Sequence, residues 1–268
     1  MNKHFSFTSA QLKLLAYAFM LIDHIGYTMA MQNSLKDFYF PHMETVYIFM
    51  RSIGRIAFPI FCFLLLEGLE HTRSKAKYMF RIFIFALISE PCFDLMASGA
   101  FYTPTYQNVL FTLLISGLYF CIYEGISKKL SSKIIRTVLN ILLLIVAIFI
   151  TYFLHTDYSV SGVILILGIS IIRKRQPKDF SLSFLLMFCT VFFAFTVSNI
   201  ISAPDAILAP SMWLDTYILP SLGIQLFEIF SLFFILPYSG SAGRPLPKAV
   251  YYLFYPVHLL LLGLLNII

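Results

Sequence analysis

The chain has 268 residues, of which 59% are hydrophobic and 12% are charged, whereas a soluble domain carries roughly 25% charged residues. Together with a mean hydropathy of +0.84, this composition excludes an ordinary water-soluble globule. At about 20 apolar residues per transmembrane helix, the length allows at most roughly ten spans. The net charge of +6 does not itself indicate nucleic-acid binding, because in a membrane protein the placement of lysine and arginine matters more than their sum.

Apolar runs separated by charged, proline-containing or polar stretches predict one all-α domain over residues 1–268, a polytopic transmembrane bundle of about nine spans. The sixth run is short, and the stretch from Ser202 to Thr216 has room for an interfacial helix, so eight to ten spans stay open. In chain order the predicted spans are Leu12 to Met31, Glu44 to Leu69, Tyr78 to Ala97, Asn108 to Ile126, Ile134 to Leu154, Tyr158 to Ile172, Phe180 to Ile201, Tyr217 to Pro237 and Ala249 to Ile268.

The loops of this bundle carry a marked charge asymmetry. Sixteen of the 19 lysines and arginines lie in the connections on one side. The opposite connections hold Lys36 alone among the cations, and Arg51 and Arg55 lie inside the second span. The positive-inside rule therefore predicts a cytoplasmic N-terminus and an external C-terminus. The four cysteines lie in apolar runs without CxxC spacing, so we expect neither a disulfide framework nor a metal site.

Several ionisable groups fall inside the predicted spans. Each costs about 2.5–3.5 kcal/mol or more in a hydrocarbon core and is therefore a functional hypothesis. They occupy similar depths on different helices, as a buried polar chamber requires. The candidates are Asp23 and His24 in the first span, Arg51 and Arg55 in the second, Glu90 and Asp94 around Pro91 in the third, Glu228 in the eighth, and Tyr255 and His258 around Pro256 in the ninth.

A purely structural interpretation competes with this one. Intramembrane arginines and carboxylates often only pair with each other, and Arg55 with Asp23 or Glu90 is such a possible pair. A lone histidine in a bundle is more often a satisfied polar residue than a catalyst. Two histidines at matching depth, each beside a charged residue or a proline, favour a functional site more than either does alone.

Ordered blocks along nearly the whole chain resemble the TraX family of bacterial membrane acetyltransferases. The blocks are Leu14 to Ala16 and Met20 to Gly26, Arg51 to Phe61, Glu67-Gly68 with His71-Thr72, Tyr78 with Arg81, Ser89 to Asp94, Asn108 to Leu113, Asp157-Tyr158 with Gly162, Gly243-Arg244, and Phe254 to His258. The family is named for a conjugation protein that acetylates the N-terminus of pilin, and it is similar to a wider group of transmembrane acyltransferases that modify envelope glycans.

The resemblance implies an acetyltransferase of the bacterial plasma membrane with acetyl-CoA as the donor. The acceptor would be an amine or hydroxyl of an envelope component, with the bilayer as the other partner and no nucleic acid. Cations at the cytosolic mouth suit the donor's phosphates. The candidate donor-binding residues are Arg73, Arg81, Arg244 and Lys248.

Within the membrane, a histidine is the natural general base for this reaction, and His24 or His258 would serve. Asp23 or Glu90 would orient it, and Arg55 would stabilise the thioester oxyanion or balance the carboxylates. The candidate substrate-binding residues are Asn108, Asp94, Tyr255 and Arg51.

Two other classes of function fit the same pattern. Secondary transporters and lipid flippases also use midplane charges and proline-broken helices, but no second copy of the Arg51/Arg55 or Glu90/Asp94 pattern occurs in the other half of the chain. A noncatalytic membrane protein with a structural polar chamber predicts that substitution of His24 or His258 changes only stability.

Overall fold

A computed structural model of the chain describes residues 6–31, 43–175, 180–204, 210–219, 223–244 and 247–267. These residues form an all-helical bundle without a named strand, with two isolated β-bridges between loop residues. The helices are α1 Ser9–Met31, α2 Met43–Gly54, α3 Ala57–His71, α4 Lys75–Ser98, α5 Val109–Lys129, α6 Lys133–Phe153, α7 Ser159–Arg175, α8 Phe180–Ser202, α9 Ile224–Ile235 and α10 Lys248–Ile267. Residues Ile224–Ser231 of α9 have 3-10 geometry, and short turns at Pro210–Met212 and Leu214–Ile218 precede it.

Local sequence accounts for where several helices begin and end. Thr8 and Gln11 form a capping box at the start of α1, because the Gln11 side chain accepts from the Thr8 backbone N–H at 2.9 Å and Thr8 Oγ1 accepts in return at 3.3 Å. Ser74, Asn108 and Ser132 cap α4, α5 and α6 with side-chain oxygens. Gly99 ends α4 at φ 75°, a conformation that glycine adopts without steric cost.

The second predicted span is two helices. Residues Arg55 and Ile56 separate α2 from α3. Pro59 explains the position of this break, because it has no N–H for the carbonyl of Arg55 and its ring crowds that carbonyl. By contrast, α4 and α10 continue as helices through Pro91 and Pro256. The break places Arg55 beside the core of the bundle, where it is 7% exposed.

Four helical stretches are long and apolar enough to cross a membrane: Glu44–His71, Val109–Lys129, Lys133–Phe153 and Phe180–Ser202. Shorter apolar helices cover Ser159–Arg173, Ile224–Ile235 and Ala249–Leu265. The eighth predicted span is thus shorter than the sequence analysis expects. Many leucine, isoleucine and phenylalanine side chains of α6 face outward, including Ile134 at 78% and Phe153 at 69% exposure, as lipid-facing residues do. The chain is accordingly a helical membrane protein.

The cation-rich helix ends meet on one face of the bundle. Arg173 Nε donates to Glu67 at 2.5 Å, and Lys75 pairs with Glu124. The start of α1 joins the loop before α10 through backbone bonds from Ser9 to Ser241 and from Ala10 to Ala242. At the other face, Gln107 pairs with the backbone of His155 and Asp157. The charge asymmetry of the loops is therefore also a spatial asymmetry.

Candidate active site in a buried polar chamber

A small cavity, called the polar chamber below, lies between α1, α2, α3, α4 and the loop that precedes α7. Its volume is about 80 Å³, room for two to three waters or an acetyl group at roughly 30 Å³ per water. Its polar lining residues are Asp23, His24, Tyr27, Arg51, Arg55, Tyr106, Asp157 and Tyr158. The chamber thus brings together the charged residues of the first and second predicted spans.

Two arginines hold the carboxylate of Asp23. Arg55 Nη2 donates to both carboxylate oxygens at 2.7 and 2.8 Å, and Arg51 Nη1 donates to Oδ2 at 2.5 Å. Arg55 also donates to the Tyr158 hydroxyl at 3.1 Å and to the Arg51 carbonyl at 3.4 Å. The cluster of Asp23, Arg51 and Arg55 has two positive charges and one negative charge. Arg51 Nε has no hydrogen-bond partner in the described part of the chain, so one donor stays available.

The loop before α7 completes the chamber, and this loop and the first residue of α7 carry backbone strain. His155, Tyr158 and Ser159 have φ values of 50°, 62° and 33°, a region that costs non-glycine residues about 1–3 kcal/mol each. The Tyr158 ring stacks on Phe58 at 3.8 Å between centroids. Tyr106 donates to Asp157 Oδ1 at 2.7 Å. Desolvation raises the pKa of the Asp157 carboxyl, while the Tyr106 hydrogen bond and the charge of Arg55 act in the opposite direction.

His24 and His258 form a direct hydrogen bond between α1 and α10. His24 Nδ1 lies 2.8 Å from His258 Nε2. The ring centroids are 5.1 Å apart with an interplanar angle of 6°. The centroid separation exceeds the nitrogen separation by about two ring radii, so the rings lie edge to edge in nearly one plane rather than face to face. This geometry suits a linear N–H···N bond.

The partners of the two rings determine where the protons lie in the neutral pair. His258 Nδ1 lies 2.6 Å from the carbonyl oxygen of Phe254, and a carbonyl can only accept, so this nitrogen carries the proton. His258 Nε2 is then an acceptor, and His24 Nδ1 donates to it. His24 Nε2 is left with its lone pair. His258 is 6% exposed, whereas His24 is half-buried and lines the chamber.

The third-span candidates lie outside the chamber lining and have structural partners. Glu90 accepts from the backbone N–H of Asn108 at 3.1 Å and from its side-chain amide. Asn108 also donates to the Ala86 carbonyl at 2.9 Å and is fully buried as the cap of α5. Asp94 accepts from the Thr103 backbone N–H at 2.8 Å and fixes the loop after α4. Asp23 likewise bonds the arginines rather than a histidine. The sequence analysis expects a carboxylate to orient the histidines, but the carbonyl of Phe254 takes that position.

Glu228 is the most isolated acidic residue of the described chain. It is 0% exposed on α9, and neither carboxylate oxygen has a hydrogen-bond partner there. Since a buried charge without a partner is very costly, the neutral acid is the expected form. Glu228 does not line the chamber.

A larger cavity of about 630 Å³, called the gallery below, adjoins the chamber on its cation-rich side. The two cavities share Met20, Phe61 and Val109 as lining residues. Of the expected donor-binding cations, Arg81 lines the gallery and also a shallow surface pocket that Arg73 shares. Arg244 is exposed in the loop before α10. The side chain of Lys248, at the start of α10, lies outside the described part of the chain. Tyr255 lines the gallery rather than the chamber.

Sequence reasoning missed some residues of this site and detected others only as charges. Tyr158 and Tyr106 are part of the chamber, but tyrosines are abundant in the chain and their position depends on loop geometry. Asp157-Tyr158 occurs among the family-like blocks, and this was the available signal.

No group of three histidine, cysteine or acidic side chains in the described ranges is arranged to hold a metal ion.

Comparison with known proteins places this architecture in a family. A relative, the probable fimbrial assembly protein FimC of serogroup H1 from Dichelobacter nodosus, is 28% identical over 273 residues, covering 98% of this chain and 97% of the relative. No solved structure matches the chain. The family model described as TraX protein matches residues 8–266. The chain therefore belongs to the TraX family.

Proposed function

We propose that this protein is an integral membrane acetyltransferase of the bacterial plasma membrane. It moves an acetyl group from cytosolic acetyl-CoA to an amine or hydroxyl of an envelope component. The observation that carries the proposal is the His24–His258 hydrogen bond, which leaves an imidazole nitrogen with a lone pair at the wall of a chamber the size of an acetyl group. A tautomer held in this way is what a general base needs.

In the proposed reaction His24 first accepts a proton and then donates it. As the acceptor's nitrogen or oxygen attacks the acetyl carbonyl carbon, His24 Nε2 takes the acceptor's proton. The tetrahedral intermediate then expels the CoA thiolate, which receives that proton from His24 and leaves as the thiol. Atoms and charge balance without an added oxidant or metal. The hydrogen bond to His258 strengthens while His24 is an imidazolium, as the orienting bond of a catalytic triad does.

Arg51 is better placed than Arg55 to stabilise the oxyanion of the tetrahedral intermediate. Arg55 already donates to Asp23, Tyr158 and the Arg51 carbonyl, whereas Arg51 keeps Nε without a partner among described residues. A fixed cationic donor in a water-poor chamber stabilises charge that develops during the reaction. Arg55 is then a positioning residue, which holds Asp23 and balances its charge.

The acceptor approaches from the side opposite the gallery. Tyr106, Asp157 and Ala97 line the chamber there, near the loops that carry few cations. The relative's name associates that protein with fimbrial assembly, so a pilin-like protein stands among the candidate acceptors, beside envelope glycans and polymers. In this arrangement nine spans run from a cytoplasmic N-terminus to an external C-terminus.

The test is release of CoA thiol by protein in nanodiscs supplied with acetyl-CoA, with and without an envelope extract. His24→Gln should reduce acceptor-dependent release about 10²–10⁴-fold, the usual contribution of a general base. His155→Asn is the matched control, because His155 lies on an exposed loop and asparagine tolerates its positive φ. Equal release by His24→Gln and wild type would reject the mechanism. Solute uptake into sealed proteoliposomes without release of CoA thiol would favour a transporter.

A further inference from the structure

The gallery has the shape and chemistry of a binding site for a specific kind of ligand. Its volume of about 630 Å³ falls within the roughly 300–1,000 Å³ of small-molecule sites. Its walls are mainly aromatic and aliphatic side chains from α1, α3, α4, α5 and α10. Along α4 it extends from Tyr78 to Ser89, eleven residues or about 16 Å at 1.5 Å per residue. It is therefore an elongated apolar space that ends at the chamber.

One end of the gallery carries positive charge. Arg81 donates to the Tyr252 hydroxyl at 3.3 Å, and Lys13 Nζ lies 4.8 Å from the centroid of the Tyr251 ring. Neither cation has a carboxylate partner among the ion pairs of the described residues. The acidic Glu67 also lines the gallery, but Arg173 binds it at 2.5 Å. This end therefore favours an anionic group.

The other end holds hydroxyls that the protein does not satisfy. Ser89 is fully buried and Tyr255 is 7% exposed. Both line the gallery, and neither hydroxyl has a hydrogen-bond partner within the described ranges. Buried polar groups are normally paired, so two orphaned hydroxyls on one cavity point to a ligand with its own acceptors. Met20, Phe61 and Val109 line both cavities where this end adjoins the chamber.

We propose that the gallery binds the acyl donor, an acyl thioester at the end of a narrow, amide-containing arm with a phosphorylated head. The phosphates contact Arg81 and Lys13, and the arm lies along the tyrosines. The hydroxyls of Ser89 and Tyr255 bind its amide or thioester oxygens. The acyl group passes Met20, Phe61 and Val109, which line both cavities, and enters the chamber beside His24. This assignment rests on the acetyl-transfer proposal, but it concerns binding and can be tested without turnover.

The experiment is ligand protection of a cysteine placed in the gallery wall. Ile82→Cys, between Arg81 and Ser89 on α4, is made with Cys92, Cys121 and Cys189 replaced by serine, and the rate of maleimide labelling in nanodiscs is measured. Saturating acetyl-CoA should slow labelling at least about fivefold, whereas acetyl-pantetheine without phosphates should protect only at much higher concentration. Adding Arg81→Gln should raise the protecting concentration about tenfold, the effect of losing one charge-assisted contact. Lys129→Gln, an exposed cation at the end of α5 that lines neither the gallery nor the pocket beside Arg81, is the matched control.

The outcomes separate the donor site from the reaction. Protection without CoA release supports the gallery assignment and counts against acetyl transfer. CoA release without protection of Ile82→Cys overturns the gallery assignment and leaves acetyl transfer standing. Protection by phosphatidic acid in the nanodisc but not by acetyl-CoA also overturns it, since the gallery would then bind a lipid. Equal effects of Arg81→Gln and Lys129→Gln would remove the cationic end from the proposal.

Discussion

Gly54 allows the chamber's ion-pair cluster to form. A Cβ at this position would lie 2.2 Å from Asp23 Cβ and 2.4 Å from its Oδ1, so no side chain fits while Asp23 bonds both arginines. We expect Gly54→Ala to displace Asp23, abolish detectable acetyl transfer and lower the free energy of unfolding by about 3 kcal/mol, as breaking a buried ion pair does.

The matched control for that substitution is Gly125→Ala in α5. No atom lies within 4 Å of the added Cβ at Gly125, and alanine is the better helix former by about 1 kcal/mol. Thermal unfolding in nanodiscs measures both variants. A Gly54→Ala protein as stable and active as Gly125→Ala would show that the cluster adapts and that the carboxylate is not essential.

His258 should affect the rate through His24 without touching substrate. His258→Leu removes the acceptor for His24 Nδ1–H, so the tautomer is no longer held, and we expect kcat to fall about 10²-fold while KM for acetyl-CoA changes little. His258→Gln can accept the same proton through its side-chain oxygen and should recover about tenfold of that loss.

The histidine pair also has a direct spectroscopic signature. In protein labelled with ¹⁵N-histidine, scalar coupling across the N–H···N bond should connect His24 and His258, and it should vanish in both variants. Equal kcat values for His258→Leu and His258→Gln, with the coupling present in wild type, would mean that the bond is structural only.

At the residue scale the sequence predicted which charges gather but not all of their partners. Matching depth placed Asp23, His24, Arg55 and His258 at one level. The structure joins them as two neighbouring hydrogen-bonded pairs, His24 with His258 and Arg55 with Asp23. The partner of each group depends on helix rotation, which depth does not determine. That is why Glu90 bonds the cap of α5 instead of a histidine.

The contact between α4 and α10 keeps His258 in place. A Cβ at Gly263 would lie 2.9 Å from both the Leu95 side chain and the Met96 backbone nitrogen, and a backbone atom cannot rotate away. Close helix approach at small residues is usual in membranes. We expect Gly263→Ala to push α10 away from α4, weaken the His24–His258 bond, and reduce both transfer rate and stability, the latter by about 1–3 kcal/mol.

Leu265→Ala is the control for this helix. Leu265 is 58% exposed near the end of α10, and its loss should leave the contact with α4 unchanged. Thermal unfolding and CoA release are measured on both variants. If Gly263→Ala lowers neither quantity relative to Leu265→Ala, the two helices have room that the structure does not show.

At the element scale, prolines explain where a helix breaks inside a predicted span. The apolar run from Glu44 to Leu69 indicates one span, and the helical stretch Glu44–His71 is long and apolar enough to be one, although Pro59 interrupts its helical bonding at Arg55. Pro91 and Pro256 are equally visible in the sequence, but both lie inside continuous helices. Tertiary packing decides between these outcomes, and the position of a proline in the sequence does not.

Contacts across the whole molecule determine the relative directions of its helices. In α1 and α10, Tyr17 bonds Tyr251 and seven residues later His24 bonds His258, so the two helices run parallel. Helices α4 and α10 are parallel as well, because Arg81 meets Tyr252 and Leu95 meets Gly263. If α1 and α10 both cross the bilayer, an odd number of spans is required, which favours nine over eight.

This parity leads to a topology prediction that is independent of catalysis. Single cysteines at Tyr102 and Ser131, both exposed in loops, are introduced into protein whose native Cys92, Cys121 and Cys189 are serine, and intact cells are treated with an impermeant maleimide. Tyr102→Cys lies among the cation-poor loops and should label from outside. Ser131→Cys, between Lys129 and Lys133, should label only after permeabilisation, because the positive-inside rule retains such loops in the cytoplasm. Labelling of both positions from one side would reject the alternating topology. The opposite pattern would invert the bundle and place Arg81 and the gallery mouth outside the cell, where cytosolic acetyl-CoA cannot reach them.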